Sequence, residues 1–177
     1  MTAHRPARWW LLATLLALGS PLAVRAQSTE GWTPAMVGIR FGYLDRSTAS
    51  VLGAQLRIPV IRQGYVELVP NGDITFLRGL KEYQYGLEVA YISGGRHGGL
   101  MLGAGTVARN SIFDQGSVRE TRKGWDLVVG LKTMPGRGIP FGIQLQERWE
   151  FLRVPVNPRV LSLGVNFPLW GWGRFRD

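Results

Sequence analysis

Apolar and polar residues alternate with a period of two along most of this chain, and that alternation limits the folds available to it. In the segment 81–92, for example, Leu87 and Val89 occupy one phase, whereas Gln84 and Glu88 occupy the other. A period of two is the repeat of a β-strand, because successive side chains point to opposite faces. No segment keeps a helical period beyond the polar lead-in that ends at Pro34. The chain is therefore predicted to be all-β.

Eight such segments follow one another, separated by turn-forming clusters such as "SGGRHGG" and "MPGRGI". Each is about as long as the 9–11 residues that a tilted strand needs to cross a bilayer. Glycine is abundant, at 24 residues, which favours closely packed or bent strands over helices. The predicted strands are 36–44, 50–60, 65–76, 81–92, 100–110, 119–133, 140–151 and 159–170.

The first residues have the pattern of a secretory signal peptide. Arg5 and Arg8 precede a short apolar run, and Val24 and Ala26 stand at the −3 and −1 positions of a cleavage site after Ala26. The alternative is a membrane anchor, but "GSP" interrupts the run before it reaches the roughly 20 residues of a spanning helix. The predicted division is a signal peptide at 1–26, a periplasmic lead-in at 27–35, a barrel at 36–170 and a tail at 171–177.

Composition narrows the class of partner. There is no cysteine, which excludes disulfides and thiolate metal sites. Removing the three arginines of the leader lowers the net charge from +9 to +6. A basic exported protein is expected to meet anionic lipid or glycolipid rather than nucleic acid.

The alternation by itself leaves two arrangements open. A soluble sandwich or lipocalin points its apolar face inward, whereas a membrane barrel places that face on lipid and its polar face in the lumen. Three features favour the membrane barrel: export, aromatic residues near the strand ends, and polar phases in which acids balance bases, as a sealed lumen requires. The aromatic residues near strand ends are Tyr43, Tyr65, Tyr83, Tyr91, Trp149 and Trp170. The predicted lumen charges are Arg40, Arg57, Glu67, Asp73, Glu88, Arg109, Glu120, Arg122, Asp126, Lys132, Arg148 and Glu150.

Glu147 does not fit this scheme. It shares the phase of Leu145 and Trp149, so it would face lipid. Two explanations remain open at this stage. A β-bulge could turn the carboxylate inward, or the residue could lie at the membrane interface, where a carboxylate costs little.

With a leader, eight amphipathic strands and a closing strand "SLGVNFPL", the chain resembles the small outer-membrane β-barrel proteins of Gram-negative-type bacteria, the OmpA-type transmembrane domain and its single-domain relatives. The resemblance implies an eight-stranded antiparallel up-and-down transmembrane barrel in the outer membrane. It also implies that the closing strand carries a signal read by the barrel-assembly machinery, with Ser162, Gly164, Phe167 and Leu169 as its polar, glycine and hydrophobic positions. Pro168 and the tail "GWGRFRD" depart from the family pattern.

Motifs for enzymatic chemistry are weak. "LGAGTVA" matches a dinucleotide-binding pattern, but a loop rather than a helix follows it. His97, the single histidine after the leader, lies in a glycine-rich turn with no strand to hold it against a serine. One histidine and no cysteine do not make a transition-metal site. No catalytic residue, cofactor or metal is predicted.

The connections at the barrel end opposite the termini are basic, and lysine and arginine pair readily with phosphate. The candidate lipopolysaccharide contacts are Arg46, Arg78, Lys81, Arg119, Lys123, Arg153 and Arg159. Solvated surface charge explains them equally well.

The predicted function is that of a non-enzymatic, monomeric outer-membrane barrel with a structural or surface-interaction role. Eight strands leave an interior that side chains fill, so paired charges rather than an open pore are expected inside. Two alternatives remain: an outer-membrane lipid-modifying enzyme, and a soluble exported calycin-like barrel that binds an apolar ligand.

Overall fold

Eight antiparallel strands form where the sequence alternates. The computed structural model describes residues 33–45, 49–77, 80–113, 119–136, 139–153 and 157–169. A short 3-10 turn, Gly95–His97, precedes β5. The strands are β1 (Met36–Leu44), β2 (Ala49–Pro59), β3 (Val66–Leu77), β4 (Leu80–Ile92), β5 (Gly98–Phe113), β6 (Arg119–Thr133), β7 (Gly142–Leu152) and β8 (Arg159–Pro168).

The sheet closes on itself, because each strand pairs with its sequence neighbours and β8 pairs with β1. Following the register once around the barrel from Ile112 returns to Leu102 on the same strand, the stagger that lets tilted strands close. Closure leaves no sheet edge along the wall. The predicted all-β, eight-stranded antiparallel barrel is confirmed.

The two ends of the barrel differ. The described chain enters and leaves at one end, here called the lower rim, where the Leu169 amide donates to the Ala35 carbonyl at 2.8 Å. The opposite end is the upper rim. There β5 runs to Phe113, so Ser111–Phe113 belong to a strand and not to the predicted loop. The predicted signal peptide, most of the predicted lead-in, Trp170 and the tail lie outside the described residues.

The outward faces are apolar. Phe41, Val89 and Leu163 each expose about half or more of their surface, at 61%, 54% and 53%. Aromatic rings collect near both rims: Tyr65 stacks with Tyr91 below, at 6.5 Å between centroids, and Trp125 stacks with a phenylalanine above. The described residues include no helix long and apolar enough to cross a membrane.

The inward faces carry most of the buried polar side chains together with two small apolar clusters. The lower cluster contains Val69, Ala90, Ile92, Met101 and Val128, and the upper one contains Leu44, Ala49, Val51 and Val160. The sequence predicts an interior filled by paired charges. The lumen also contains apolar side chains at both ends, so it is less polar than predicted.

Candidate functional site

Ten of the twelve predicted lumen charges have buried side chains inside the barrel. Together with the side chains that they bond, these ions are called the lumen network, and it forms three levels. The ten are Arg40, Arg57, Glu67, Asp73, Glu88, Arg109, Asp126, Lys132, Arg148 and Glu150.

The lower level is centred on Glu67. The Arg57 Nε lies 2.6 Å from Glu67 Oε2, and the Lys132 ammonium binds the other carboxylate oxygen. Arg57 also donates to the Gln144 side-chain oxygen at 2.8 Å. Two cations therefore share one carboxylate, and this level carries a net positive charge.

The central level is built around two arginines that share Asp73. Arg40 binds both carboxylate oxygens of Asp73, at 2.8 and 2.9 Å, in the fork geometry that suits a guanidinium. Arg148 donates to Asp73 at 2.8 Å and lies 2.7 Å from Glu88. Asn71 connects the Arg40 pair to the Arg148 pair, since its side-chain oxygen accepts a hydrogen bond from Arg40 and its side-chain nitrogen donates one to Glu88.

A glycine makes room for this central pair. Gly53 pairs with Asp73 across β2 and β3. A Cβ added at Gly53 would collide with the Asp73 Oδ1 and approach the Arg40 Nε to 3.0 Å. The absence of a side chain at Gly53 is therefore what allows the Arg40–Asp73 ion pair to pass over β2.

The upper level is centred on Arg109, which lies 2.7 Å from Glu82 and 2.8 Å from Glu150. Ser111 donates to the second oxygen of Glu82 at 2.9 Å. Glu82 is absent from the predicted lumen charges, but its side chain is buried and belongs to the lumen network. The period of β4 signalled this, because Glu82 shares the phase of Gln84 and Glu88.

Glu120 and Arg122 were predicted to face the lumen, and this prediction is wrong. Both have the inward phase of β6, but β6 rises above β7 at this point, and ladder pairing between the two begins only at Gly124 and Leu152. The two side chains form an exposed ion pair of 2.6 Å with each other.

Asp126 is an exception within the lumen network. It is fully buried, yet neither carboxylate oxygen accepts a hydrogen bond from the described part of the chain. The Arg148 Nε lies 3.6 Å away, and the register partner of Asp126 is another acid, Glu150. Among the described lumen side chains, buried carboxylates outnumber buried cations by one. The six carboxylates are Glu67, Asp73, Glu82, Glu88, Asp126 and Glu150, and the five cations are Arg40, Arg57, Arg109, Lys132 and Arg148.

Glu147 lies on the outer wall. The ladder runs through this residue without a break, pairing it with Val129 and Leu161, so the bulge explanation is wrong. Its neighbours on the same face of β7 are Leu145 and Trp149. The carboxylate therefore lies within the apolar wall, below the aromatic residues at the top of β7.

The predicted assembly signal is split between the two faces of β8. Ser162 and Gly164 point inward, whereas Phe167 is exposed on the outer wall and Leu169 follows the end of the strand.

Of the candidate lipopolysaccharide contacts, four have exposed side chains at or near the upper rim: Lys81, Lys123, Arg153 and Arg159. Arg46 and Arg78 lie outside the described residues, and so does the side chain of Arg119. In the described ranges no three histidine, aspartate or glutamate side chains stand where they could hold a metal ion.

No protein-family model matches this sequence, and no curated protein matches it. Solved structures do match. The N-terminal β-barrel domain of Pseudomonas aeruginosa OprF has a TM-score of 0.62 and 15% identity, over 77% of this chain and 98% of that one. Neisserial surface protein A has a TM-score of 0.54 and 14% identity, over 76% and 96%.

The outer membrane enzyme PagL is also similar, with a TM-score of 0.52 and 13% identity over 76% of this chain and 99% of that one. At these sequence identities the similarity concerns the fold alone. Because the enzyme PagL has the same fold, the fold does not decide whether a barrel is an enzyme. The chain has the fold of the small eight-stranded outer-membrane β-barrels.

Proposed function

We propose that this chain is an exported protein that inserts into the outer membrane as a monomeric, non-enzymatic barrel with a structural or surface-interaction role. The observation that carries the proposal is the direction of the charges. Arg57, Glu88 and Asp126, whose orientation distinguishes a membrane barrel from a soluble one, all point inward and are buried. A soluble calycin-like barrel would have them on its outer surface.

The outer wall supports the same conclusion. A contiguous belt of exposed apolar side chains, including Ile39, Leu87 and Leu161, surrounds the barrel. Soluble monomers rarely expose apolar patches larger than a few hundred Å². A bilayer removes this cost, because its hydrocarbon core is as apolar as the wall.

A closed lumen argues against an open channel. The lumen network crosses the barrel at three levels, and Gln55 joins the lower and central ones by donating to Gln144 and accepting from Arg40. An ion that passes must displace buried pairs, each of which is costly to break. The barrel wall and the upper rim are then the surfaces available for function.

Among the described residues, no nucleophile, base and acid form a constellation that supports the enzyme alternative. Glu147 is an acid on the outer wall, and its register partners are Val129 and Leu161. His97 is exposed in the lower turn beside Arg96. A hydrolytic triad needs its nucleophile and base within hydrogen-bond reach of each other.

The partners proposed for this role are outer-membrane lipid and lipopolysaccharide, which would meet the exposed cations of the upper rim. During export we propose that residues 1–26 act as the leader and that Ser162, Gly164, Phe167 and Leu169 act as the signal read by the assembly machinery.

The test is cell fractionation followed by gel electrophoresis of heated and unheated samples. We expect the protein in the outer-membrane fraction, extractable only with detergent, and a faster band without heating because the closed barrel stays folded in the gel. A planar-bilayer recording should find no long-lived open state. Recovery from the aqueous fraction would contradict the membrane assignment, and a stable conductance would contradict the closed lumen.

A further inference from the structure

A notch lies at the upper rim between β6 and the top of β7, and Asn157 also lines it. On one side β6 pairs with β5 up to Arg119, whereas on the other its pairing with β7 stops at Gly124. The five residues above that point, 119–123, have no ladder partner on this side among the described residues. The notch has a volume of about 1040 Å³ and is lined by residues 120–125, 151–153 and Asn157.

The notch is basic. Lys123 and Arg153 are exposed in it, and neither has an ion-pair partner within the described residues. Arg122 adds a third cation, with one terminal nitrogen 2.6 Å from Glu120. Its Nε is shielded from solvent and has no hydrogen-bond partner among the described residues. The notch therefore holds three cations against one carboxylate, with a donor still unused.

An aromatic plate lies directly below these cations. Trp125 and Phe151 stack with centroids 4.0 Å apart and an angle of 14° between the rings. Trp125 shares the outward face of β6 with Lys123, two residues above it, and half of its surface is exposed. Below the plate the wall continues as Leu127 and Trp149, a register pair on the same face. The order from top to bottom is cations, stacked rings and apolar wall.

We infer that this notch is a binding site for the phosphate group of a membrane-anchored amphiphile, a phosphorylated glycolipid of the outer leaflet. Lys123 and Arg153 hold the phosphate, because charge-assisted hydrogen bonds are the strong contacts for such a group. The Trp125–Phe151 plate lies under the adjoining sugar, and the acyl chains follow the wall. The inference rests on the proposed membrane location.

The notch differs from the other cations of the upper rim in a way that can be tested. Lys81 is exposed near the top of β4, where its register partners are Phe76 and Ile112, so no neighbouring strand is missing beside it. If a diffuse ring of charge attracted the lipid, Lys81 would contribute to binding as much as Lys123. A specific site would depend on the residues of the notch instead.

The experiment uses the full chain purified in detergent micelles, with diphosphoryl lipid A as the probe. Binding is measured by the lipid phosphorus that stays with the barrel through size-exclusion chromatography over a range of lipid concentrations. The variants are the double change Lys123→Ala with Arg153→Ala, the single change Trp125→Leu, and Lys81→Ala as the control. Each variant is first checked for heat-dependent gel mobility, which reports a folded barrel.

We expect the double change to weaken binding about tenfold or more, as the loss of two charge-assisted contacts predicts. Trp125→Leu should weaken it about threefold or more, because the change removes one of the two rings of the plate on which the sugar lies. Lys81→Ala should leave the affinity within about twofold, as surface charges away from a site contribute little. Millimolar inorganic phosphate should not displace the lipid, since it lacks the parts that meet the rings and the wall.

An equal loss of binding in Lys81→Ala would overturn the inference in favour of a diffuse charged rim. Displacement of the lipid by inorganic phosphate would overturn the lipid assignment. Unchanged binding in the double variant would overturn the site itself. A barrel that inserts and shows heat-dependent mobility but fails these tests refutes only the inference, whereas a chain that stays in the aqueous fraction refutes the proposed function.

Discussion

Two adjacent charged residues of β7 lie in opposite environments, one in the lumen and the other on the outer wall. Arg148 points inward, where it meets Asp73 and Glu88 at 2.8 and 2.7 Å and loses almost all of its exposure. Glu147 points outward between Val129 and Leu161. A buried charge that is paired on several sides is a structural element, whereas a carboxylate on an apolar wall is tolerated at a cost. Whether a charged side chain stabilises or destabilises this barrel therefore depends on which face of the strand it occupies, and not on its position along the strand.

The strongest test of this contrast is Arg148→Met. The change leaves Glu88 without its cation inside the lumen, and breaking a buried pair in this way costs about 3–5 kcal/mol. We expect the free energy of unfolding to fall by that amount in a urea titration followed by heat-dependent gel mobility. Arg159→Met is the matched control, since Arg159 is exposed at the start of β8. Equal stability of the two variants would contradict the inward role of Arg148.

A smaller effect of opposite sign is expected from Glu147→Leu. The substitution restores an apolar side chain to the wall, and a carboxylate at such a site costs less than the about 2–4 kcal/mol of a lysine or arginine. The free energy of unfolding in lipid vesicles should rise by about 1 kcal/mol at most, because the contact that Glu147 makes offsets only part of the cost of its position in the wall. Leu161→Glu, which adds a second acid beside the first, should lower it. If Glu147→Leu destabilises the barrel instead, the carboxylate has a stabilising contact that outweighs its position in the wall.

The smallest effect is expected from Asp126→Asn, compared with Asp73→Asn. Asp73 accepts three hydrogen bonds from two arginines, and charged hydrogen bonds contribute about 1.5–3 kcal/mol each. Asp126 accepts none from the described residues and faces Glu150, so a neutral amide removes a repulsion without removing a bond. We expect Asp126→Asn to change the free energy of unfolding by less than about 0.5 kcal/mol or to raise it. Losses of similar size in the two variants would mean that Asp126 carries part of the network.

Much of the fold follows from local pattern. The period of two separates inward from outward residues because the strand geometry does so everywhere along the chain. This places Arg57 and Glu88 on the inside and Phe41 and Leu163 on the wall, as found. The same period also predicts an inward side chain at Glu82, although its position near the start of β4 suggests an exposed residue at the rim.

The pairing of charges did not follow from the pattern. Arg148 and Asp73 are 75 residues apart, and their contact depends on the register of several strands and on the stagger at closure. The exposure of Glu120 and Arg122 likewise depends on where β7 stops beside β6. Neither the Arg148–Asp73 contact nor the exposure of Glu120 and Arg122 is encoded in a short segment, because both depend on how several strands are aligned in the closed barrel.

By itself, therefore, the sequence determined the strands, their number and the side of the wall on which nearly every residue lies, since each of these depends on side-chain alternation within one segment. Only the tertiary structure decided which ion meets which, that Gly53 vacates the space for Arg40 and Asp73, and that a notch opens above Trp125 and Phe151. The physical reason is that closure and stagger bring together residues from distant strands, and the ends of those strands do not coincide.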